Sequence, residues 1–162
     1  MKSRLALLAV MAAALLLMFR AELHMAVDPV GYWTGLLHAA ISSKSQDDFG
    51  IAVAGLGHAG RGSAVAGRVL LDAQEIADLP RYVDFMDALA NVGPVVLPDL
   101  APRLKTTKHY WLLTDVMGRL GEASLPHLRA LVESSDPRGP AEGDFLERDT
   151  TAVGVIGRMW PS

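Results

Sequence analysis

The sequence predicts an all-α protein, an α-solenoid of about four helix pairs that follows an apolar N-terminal helix. Half of the 162 residues are apolar and only 6% are aromatic, which favours packed helices over an aromatic-rich sandwich. A short pattern that ends in glycine recurs four times along the chain. Recurrence at spacings of about 20 to 50 residues is typical of helical repeat proteins.

The repeated pattern reads apolar, small, any residue, apolar and then glycine. It ends at Gly57, Gly93, Gly121 and Gly157, which are 36, 28 and 36 residues apart. Each unit predicts a helix that ends at its glycine, because a left-handed conformation costs little there. The small residue three positions before each glycine is expected to let the next helix approach closely. A second amphipathic helix is expected to begin at once.

Eight helices are predicted from the period of the apolar residues and from the capping signals. The first begins at Asp28 and Pro29, a capping residue followed by a proline at the first helical position. The eight predicted helices lie near residues 30–42, 48–57, 62–78, 81–92, 94–105, 109–120, 122–133 and 145–158.

The second helices of two units share a Leu-Pro pair. Leu97-Pro98 and Leu125-Pro126 both lie four and five residues after their glycine. Pro102 falls inside the first of these helices, where a proline costs roughly 3 kcal/mol and bends the chain. The buried face predicted for that helix carries Val96, Leu97, Leu100 and Leu104.

The stretch VMGRLGEASLPHLRALVESSDP, residues 116–137, joins the glycine, the Leu-Pro pair and an Asp-containing turn. In this order it resembles HEAT repeats, in particular the short HEAT-like repeats first associated with phycobilin lyases. The resemblance extends over residues from about 30 to about 160. The family's arginine near the start of the second helix has its nearest counterparts in Arg81 and Arg148. The resemblance implies a curved α-solenoid whose concave surface binds another protein.

The N-terminal residues form a separate unit. Lys2 and Arg4 precede fifteen uninterrupted apolar residues at 5–19. This layout predicts an export signal that is cleaved, or a membrane anchor that is retained. The predicted domains are therefore a signal peptide or membrane anchor over residues 1–26 and a HEAT-like domain over residues 27–162. In either case we expect the protein in the cell envelope, for example the periplasm.

The stretch GLGHAG matches the dinucleotide-binding fingerprint G-x-G-x-x-G at Gly55, Gly57 and Gly60. Such a site needs a buried strand before the first glycine and a second strand about 20 residues further on. The stretch that follows carries charges and a proline where an apolar strand is required. The sequence therefore favours glycines at helix ends and helix contacts, with a dinucleotide-binding enzyme as the less favoured alternative.

The amino-acid composition does not favour an enzyme or a nucleic-acid-binding protein. Without cysteine there is neither a disulfide framework nor a Cys-based metal site, and the five histidines form no H-x-x-x-H or H-E-x-x-H pair. The net charge of −3 gives no strongly basic surface for nucleic acid. We therefore expect no catalytic residue, no cofactor and no metal.

A protein-binding surface is the functional site that the sequence favours. Aspartates on helices that resemble the inner layer of a HEAT array are candidates, although charges on a solvated helix face are common. Of two adjacent aromatic residues, one is expected in the core and the other at the surface, where Tyr and Trp anchor interfaces. The candidate partner-binding residues are Asp84, Asp87, Asp115, Arg119, Tyr110 and Trp111.

The function expected from these observations is a scaffold for protein–protein interaction, or an accessory subunit of a membrane complex. Residues 5–19 would attach it to the membrane if they are not cleaved. The resemblance also permits an accessory protein like the bilin lyases, which help to attach or release bilin chromophores.

Overall fold

The computed structural model describes residues 19–20, 22–76, 81–104, 106–107 and 109–134. Within these ranges the regular structure is entirely helical, as predicted. The predicted N-terminal segment up to residue 18 lies outside the described residues. The same holds for the predicted helix at 145–158, for Gly157 and for Arg148.

Seven of the predicted helices are confirmed, with boundaries that shift by a few residues. Short 3-10 turns, Pro94–Val96 and Gly121–Ser124, open the fifth and seventh helices. Residues 22–27 are also helical and precede the first of them. The helices are α1 (Pro29–Ser43), α2 (Gln46–Ala59), α3 (Ala64–Ile76), α4 (Tyr82–Val92), α5 (Leu97–Arg103), α6 (Tyr110–Leu120) and α7 (Leu125–Ser134).

Capping side chains fix where the first helices begin. The N–H of Gly31 donates to the Asp28 carboxylate at 2.9 Å, and Pro29 occupies the first helical position, as predicted. Ser45 and Ser63 accept in the same way, from the N–H groups of the residues three positions further on. Each of these side chains satisfies one of the backbone donors that a helix start leaves unpaired.

Glycine ends two helices as predicted, but not the third. Gly93 and Gly121 follow α4 and α6 with φ values of +93° and +65°, which L side chains rarely adopt. The predicted helix end at Gly57 is wrong, because α2 continues to Ala59 and is capped by Gly60. Gly57 instead lies at a helix contact.

Helices pack against the next helix but one along the chain. α2 contacts α4, and α4 contacts α6, while α3 contacts both α1 and α5. The α2 helix runs in the same direction as α4, because Gly50 lies beside Arg81 and Gly57 lies beside Ala88. Tyr82 of α4 likewise contacts Trp111 of α6, near the start of both helices.

Apolar side chains from all seven helices meet in one core. The rings of Phe49 and Phe85 lie 5.4 Å apart between α2 and α4. The face predicted for the fifth helix is buried as expected. The largest fully buried side chains also include Leu37, Leu56, Leu70, Leu89, Leu113, Met117 and Leu128.

Helices α2 and α4 approach each other closely at Gly57. A Cβ at this position would lie 2.5 Å from the Cα of Ala88, so α2 and α4 touch backbone to backbone. A Cβ at Gly67 of α3 would similarly lie 2.6 Å from Val96. The small residue expected to allow this contact, Ala54, is instead exposed. The close contact is therefore made by the glycine itself.

We predict that Gly57→Ala destabilises the protein by about 1 to 3 kcal/mol, because the added methyl group has to push α2 away from the backbone of α4. Gly35→Ala is the matched control, since a Cβ there meets nothing within 4 Å and Gly35 also lies inside a helix. The control is expected to stabilise by about 0.5 to 1 kcal/mol through helix propensity. Chemical denaturation measures both changes. Equal effects of the two substitutions would contradict a tight contact at Gly57.

Candidate interaction surface

The structure places the six predicted residues on two neighbouring helices, α4 and α6. It brings Asp87, Asp115 and Arg119 together, whereas Asp84 pairs with a different arginine, Arg81. The two aromatic residues separate as the sequence predicted. Tyr110 is buried at 8% exposure, and Trp111 is 40% exposed.

Arg119 joins α6 to α4. Its guanidinium donates to the Asp87 carboxylate of α4 and, through Nε at 3.3 Å, to Asp115 one turn earlier in its own helix. The hydrogen bond to Asp87 is the main reason that the pKa of Arg119 lies above its usual value. This stabilisation is complete below the pKa of the unfolded chain and is lost only at strongly alkaline pH. Arg119 is therefore charged at physiological pH.

Arg81 makes the equivalent connection between α4 and α2. It precedes the first residue of α4, and its guanidinium lies over Gly50, where a side chain would collide with it. One nitrogen donates to Asp47 of α2 at 3.2 Å, and another donates to Asp84 at 3.4 Å. Arg81 and Arg119 thus connect α2, α4 and α6 in sequence.

A second set of ion pairs lies on α3 and α5. Arg103 of α5 donates to Asp72 and, at 3.2 Å, to Glu75, both on α3. Burial lowers the pKa of Arg103, but the hydrogen bonds and charges of the two carboxylates outweigh it and raise that pKa. Arg68 and Asp99 pair at 3.7 Å between the same helices.

Three rings cluster where α4 and α6 begin. The ring of Tyr82 lies 5.1 Å from that of Trp111 in an edge-on arrangement and 5.4 Å from that of His109. Such pairs contribute about 0.5 to 1.5 kcal/mol beyond the area that they bury. The cluster holds Trp111 in place while part of its indole remains in solvent.

Each of the helices α2, α4 and α6 carries an exposed stripe on the side away from the core. In α4 it consists of Val83, Asp87 and Asn91, which are spaced four residues apart. The stripes of α2 and α6 have the same spacing of three or four residues. We call these three stripes together the α2/α4/α6 face, and its residues are Asp47, Ile51, Ala54, His58, Val83, Asp87, Asn91, Trp111, Asp115 and Arg119.

The face carries an excess of negative charge. Its ten residues include three aspartates and one arginine, and the adjacent Arg81 pairs with Asp47 and Asp84. Helices α3 and α5 are nearer to balance, with three carboxylates and two arginines, and α1 has no charged residue. Cationic groups are therefore attracted more strongly to the α2/α4/α6 face than to helices α3 and α5.

Two of the three fingerprint glycines lie in a helix, and the third, Gly60, caps it. Gly55 and Gly57 are interior to α2, so no strand precedes them, and the backbone is not free to cradle a phosphate. The ring of Trp33 from α1 occupies the space above Gly55, and Gly60 packs against Ala66. The stretch GLGHAG thus serves contacts between helices, as the sequence favoured.

The described part of the chain holds neither a metal-binding cluster nor a membrane-spanning helix. No group of three His, Asp or Glu side chains there is arranged to hold a metal ion. Among the same residues, none of the helices combines the length and the apolar character needed to cross a bilayer. The predicted anchor at 5–19 falls almost wholly outside these residues.

Sequence reasoning missed several residues of this surface. Arg81 was noted only for its resemblance to the family arginine, and its bond to Asp47 crosses 34 residues, which no local pattern reveals. Ile51 and Val83 are apolar residues at 60% and 58% exposure on otherwise polar stripes. Their positions in a helical wheel of α2 and α4 were the available signal.

A buried amide stands apart from this surface. Gln74 of α3 is 3% exposed, and neither its Nε2 nor its Oε1 has a hydrogen-bond partner within the described structure. A buried polar group left unpaired costs about 1 to 3 kcal/mol.

We predict that Gln74→Leu stabilises the protein by about 1 to 3 kcal/mol, because leucine fills a similar volume without an unpaired amide. Gln46→Leu is the control, since Gln46 is exposed at the start of α2 and its replacement is expected to change the free energy of unfolding by under about 0.5 kcal/mol. Denaturant titration measures both. A destabilised Gln74→Leu variant would mean that the amide is satisfied in solution.

We predict that Arg119→Gln lowers the free energy of unfolding by no more than about 1 kcal/mol, because the pair with Asp87 is solvent-accessible. The loss should shrink in 1 M NaCl, where the screening length falls to about 3 Å. Arg129→Gln is the control, since the exposed Arg129 of α7 forms no ion pair with any described residue. A loss that is the same at both salt concentrations would rule out an electrostatic role.

Comparison with known proteins gives no further guide, since no family model, curated protein or solved structure matches the chain.

Proposed function

We propose that this protein is a binding scaffold of the cell envelope, built as a HEAT-like α-solenoid and serving as an accessory subunit of a membrane complex rather than as an enzyme. The observation that carries the proposal is the α2/α4/α6 face. Three helices running in one direction are joined in series by arginines, and they present apolar and acidic side chains to solvent.

The order of helix contacts supports the solenoid. Contacts run from α2 to α4 to α6 on one side and from α1 to α3 to α5 on the other. Neighbouring units that cover one another in this way are characteristic of repeat arrays. The resemblance of residues 116–137 to HEAT-like repeats points in the same direction.

The pairing of the acidic residues supports binding rather than catalysis. Asp84 and Asp87 are held by arginines as ion pairs, and both are solvent-accessible. Charges arranged in this way suit recognition of a complementary surface.

The residues before α1 support attachment to a membrane. Phe19, Leu23 and Val27 follow one another at intervals of four and are exposed, at 55%, 63% and 77%. This apolar stripe continues directly from the apolar run at 5–19. A stripe of this kind suits the boundary between lipid headgroups and acyl chains.

The test is site-specific photo-crosslinking of the full-length protein in its source cells. A crosslinking residue at Asn91, on the α2/α4/α6 face, is expected to give an adduct of one defined mass in the membrane fraction. The matched position is Val65 on α3, which is also exposed and is expected to give none. No adduct at Asn91, or the same adducts at both positions, would contradict the proposal.

A further inference from the structure

The α2/α4/α6 face also indicates what kind of partner it takes, an inference that rests on the proposed function. We propose that the face binds a basic amphipathic helix of a partner protein. The apolar side chains of that helix lie on the row formed by Ile51, Val83 and Trp111, which we call the apolar row. Its lysines and arginines lie against the aspartates on either side of this row.

The apolar row crosses three helices at one level. Gly50 lies beside the guanidinium of Arg81, which places the next residue, Ile51, near the start of α4. The contact between Tyr82 and Trp111 places α6 at the same height. Single exposed apolar residues need no explanation, but one at the same level on each of three adjacent helices forms a row.

Aspartates border the row on both sides. Asp47 lies one turn before Ile51, and Asp87 and Asp115 lie one turn after the other two members of the row. Each arginine at the face is already shared between two carboxylates, so negative charge remains in excess. Because a carboxylate has about four acceptor positions, a cation from a partner can bind without displacing Arg81 or Arg119.

The same charges argue against the other occupants. A second copy docked by two-fold symmetry would bring acidic face against acidic face, which costs free energy. A bilayer surface with anionic lipids would be repelled likewise. A basic segment of another protein meets both the apolar row and the charges around it.

The spacing fits a helix laid across the three. Packed helices lie about 8 to 10 Å apart, which sets the approximate spacing that a helix crossing the apolar row has to match. Residues seven apart in a helix rise by about 10.5 Å and stay on nearly the same side. A helix of about 15 residues with an apolar side chain every seven therefore spans the row.

The experiment selects peptides from a random phage-displayed library, about 15 residues long, on the immobilised full-length protein in mild detergent. The selected peptides are expected to be basic, with apolar residues seven apart. The best peptide should bind Val83→Ser and Trp111→Ser about tenfold more weakly. Val65→Ser is the matched control, because Val65 is as exposed as Val83 (56% against 58%) but lies on α3. It is expected to leave the affinity unchanged.

Charge is tested on the same peptide. The double variant Asp87→Asn, Asp115→Asn should weaken binding by about tenfold at low salt and by less in 0.5 M NaCl. The double variant Asp72→Asn, Glu75→Gln removes the corresponding pair of carboxylates around Arg103 and is expected to bind as the parent does. Circular dichroism of each variant confirms that the helices are retained.

Three outcomes overturn the inference. The first is selection of neutral or acidic peptides, or of no peptide. The second is an equal loss of peptide affinity in the face variants and the α3 variants. The third is self-association in ultracentrifugation that Val83→Ser abolishes, which would make the occupant a second copy. These results are distinct from a failure of the proposed function. If Asn91 forms its adduct but no basic peptides are selected, the proposed scaffold function is retained and only the inference of a basic helix is rejected.

Discussion

The backbone contact between Gly57 and Ala88 is the constraint on which the rest of the surface depends. Since a side chain at Gly57 would meet the Cα of Ala88, the observed close approach of α2 and α4 requires glycine at this position. The same packing brings Arg81 over Gly50, within reach of Asp47, and brings Ile51 level with Val83. The position of the face thus depends on Gly57, which has no side chain and lies inside α2.

Much of the fold could be predicted from the sequence, because its signals are local. Apolar periodicity, the Asp28-Pro29 start and the glycines at 93 and 121 predicted seven helices close to their observed limits. The end of α2 was missed, because Gly57 has the same neighbours in sequence as the glycines that end helices. Only its contact with another helix distinguishes it, and that contact is 31 residues away in the chain.

The candidate site could be predicted only where its contacts are local in sequence. Asp115 and Arg119 lie four residues apart on one helix, so their pairing follows from helical geometry. The bond from Arg119 to Asp87 spans 32 residues and depends on how α6 packs against α4. The apolar row is likewise a property of three helices together. A sequence pattern identifies its members one at a time but does not align them.

The arginine bridges share a feature with consequences for folding. They connect residues 34, 32 and 31 positions apart, so each joins one helix only to the next helix of its own layer. No part of the described chain has to wait for a distant segment before it can pack, and low contact order of this kind accompanies rapid folding. Within the described residues, α4 is bridged on both sides, to α2 through Arg81 and to α6 through Arg119. Opening of the α2/α4/α6 face at α4 therefore requires both bridges to break, and we expect local unfolding to be rarer there than at a helix held by one bridge.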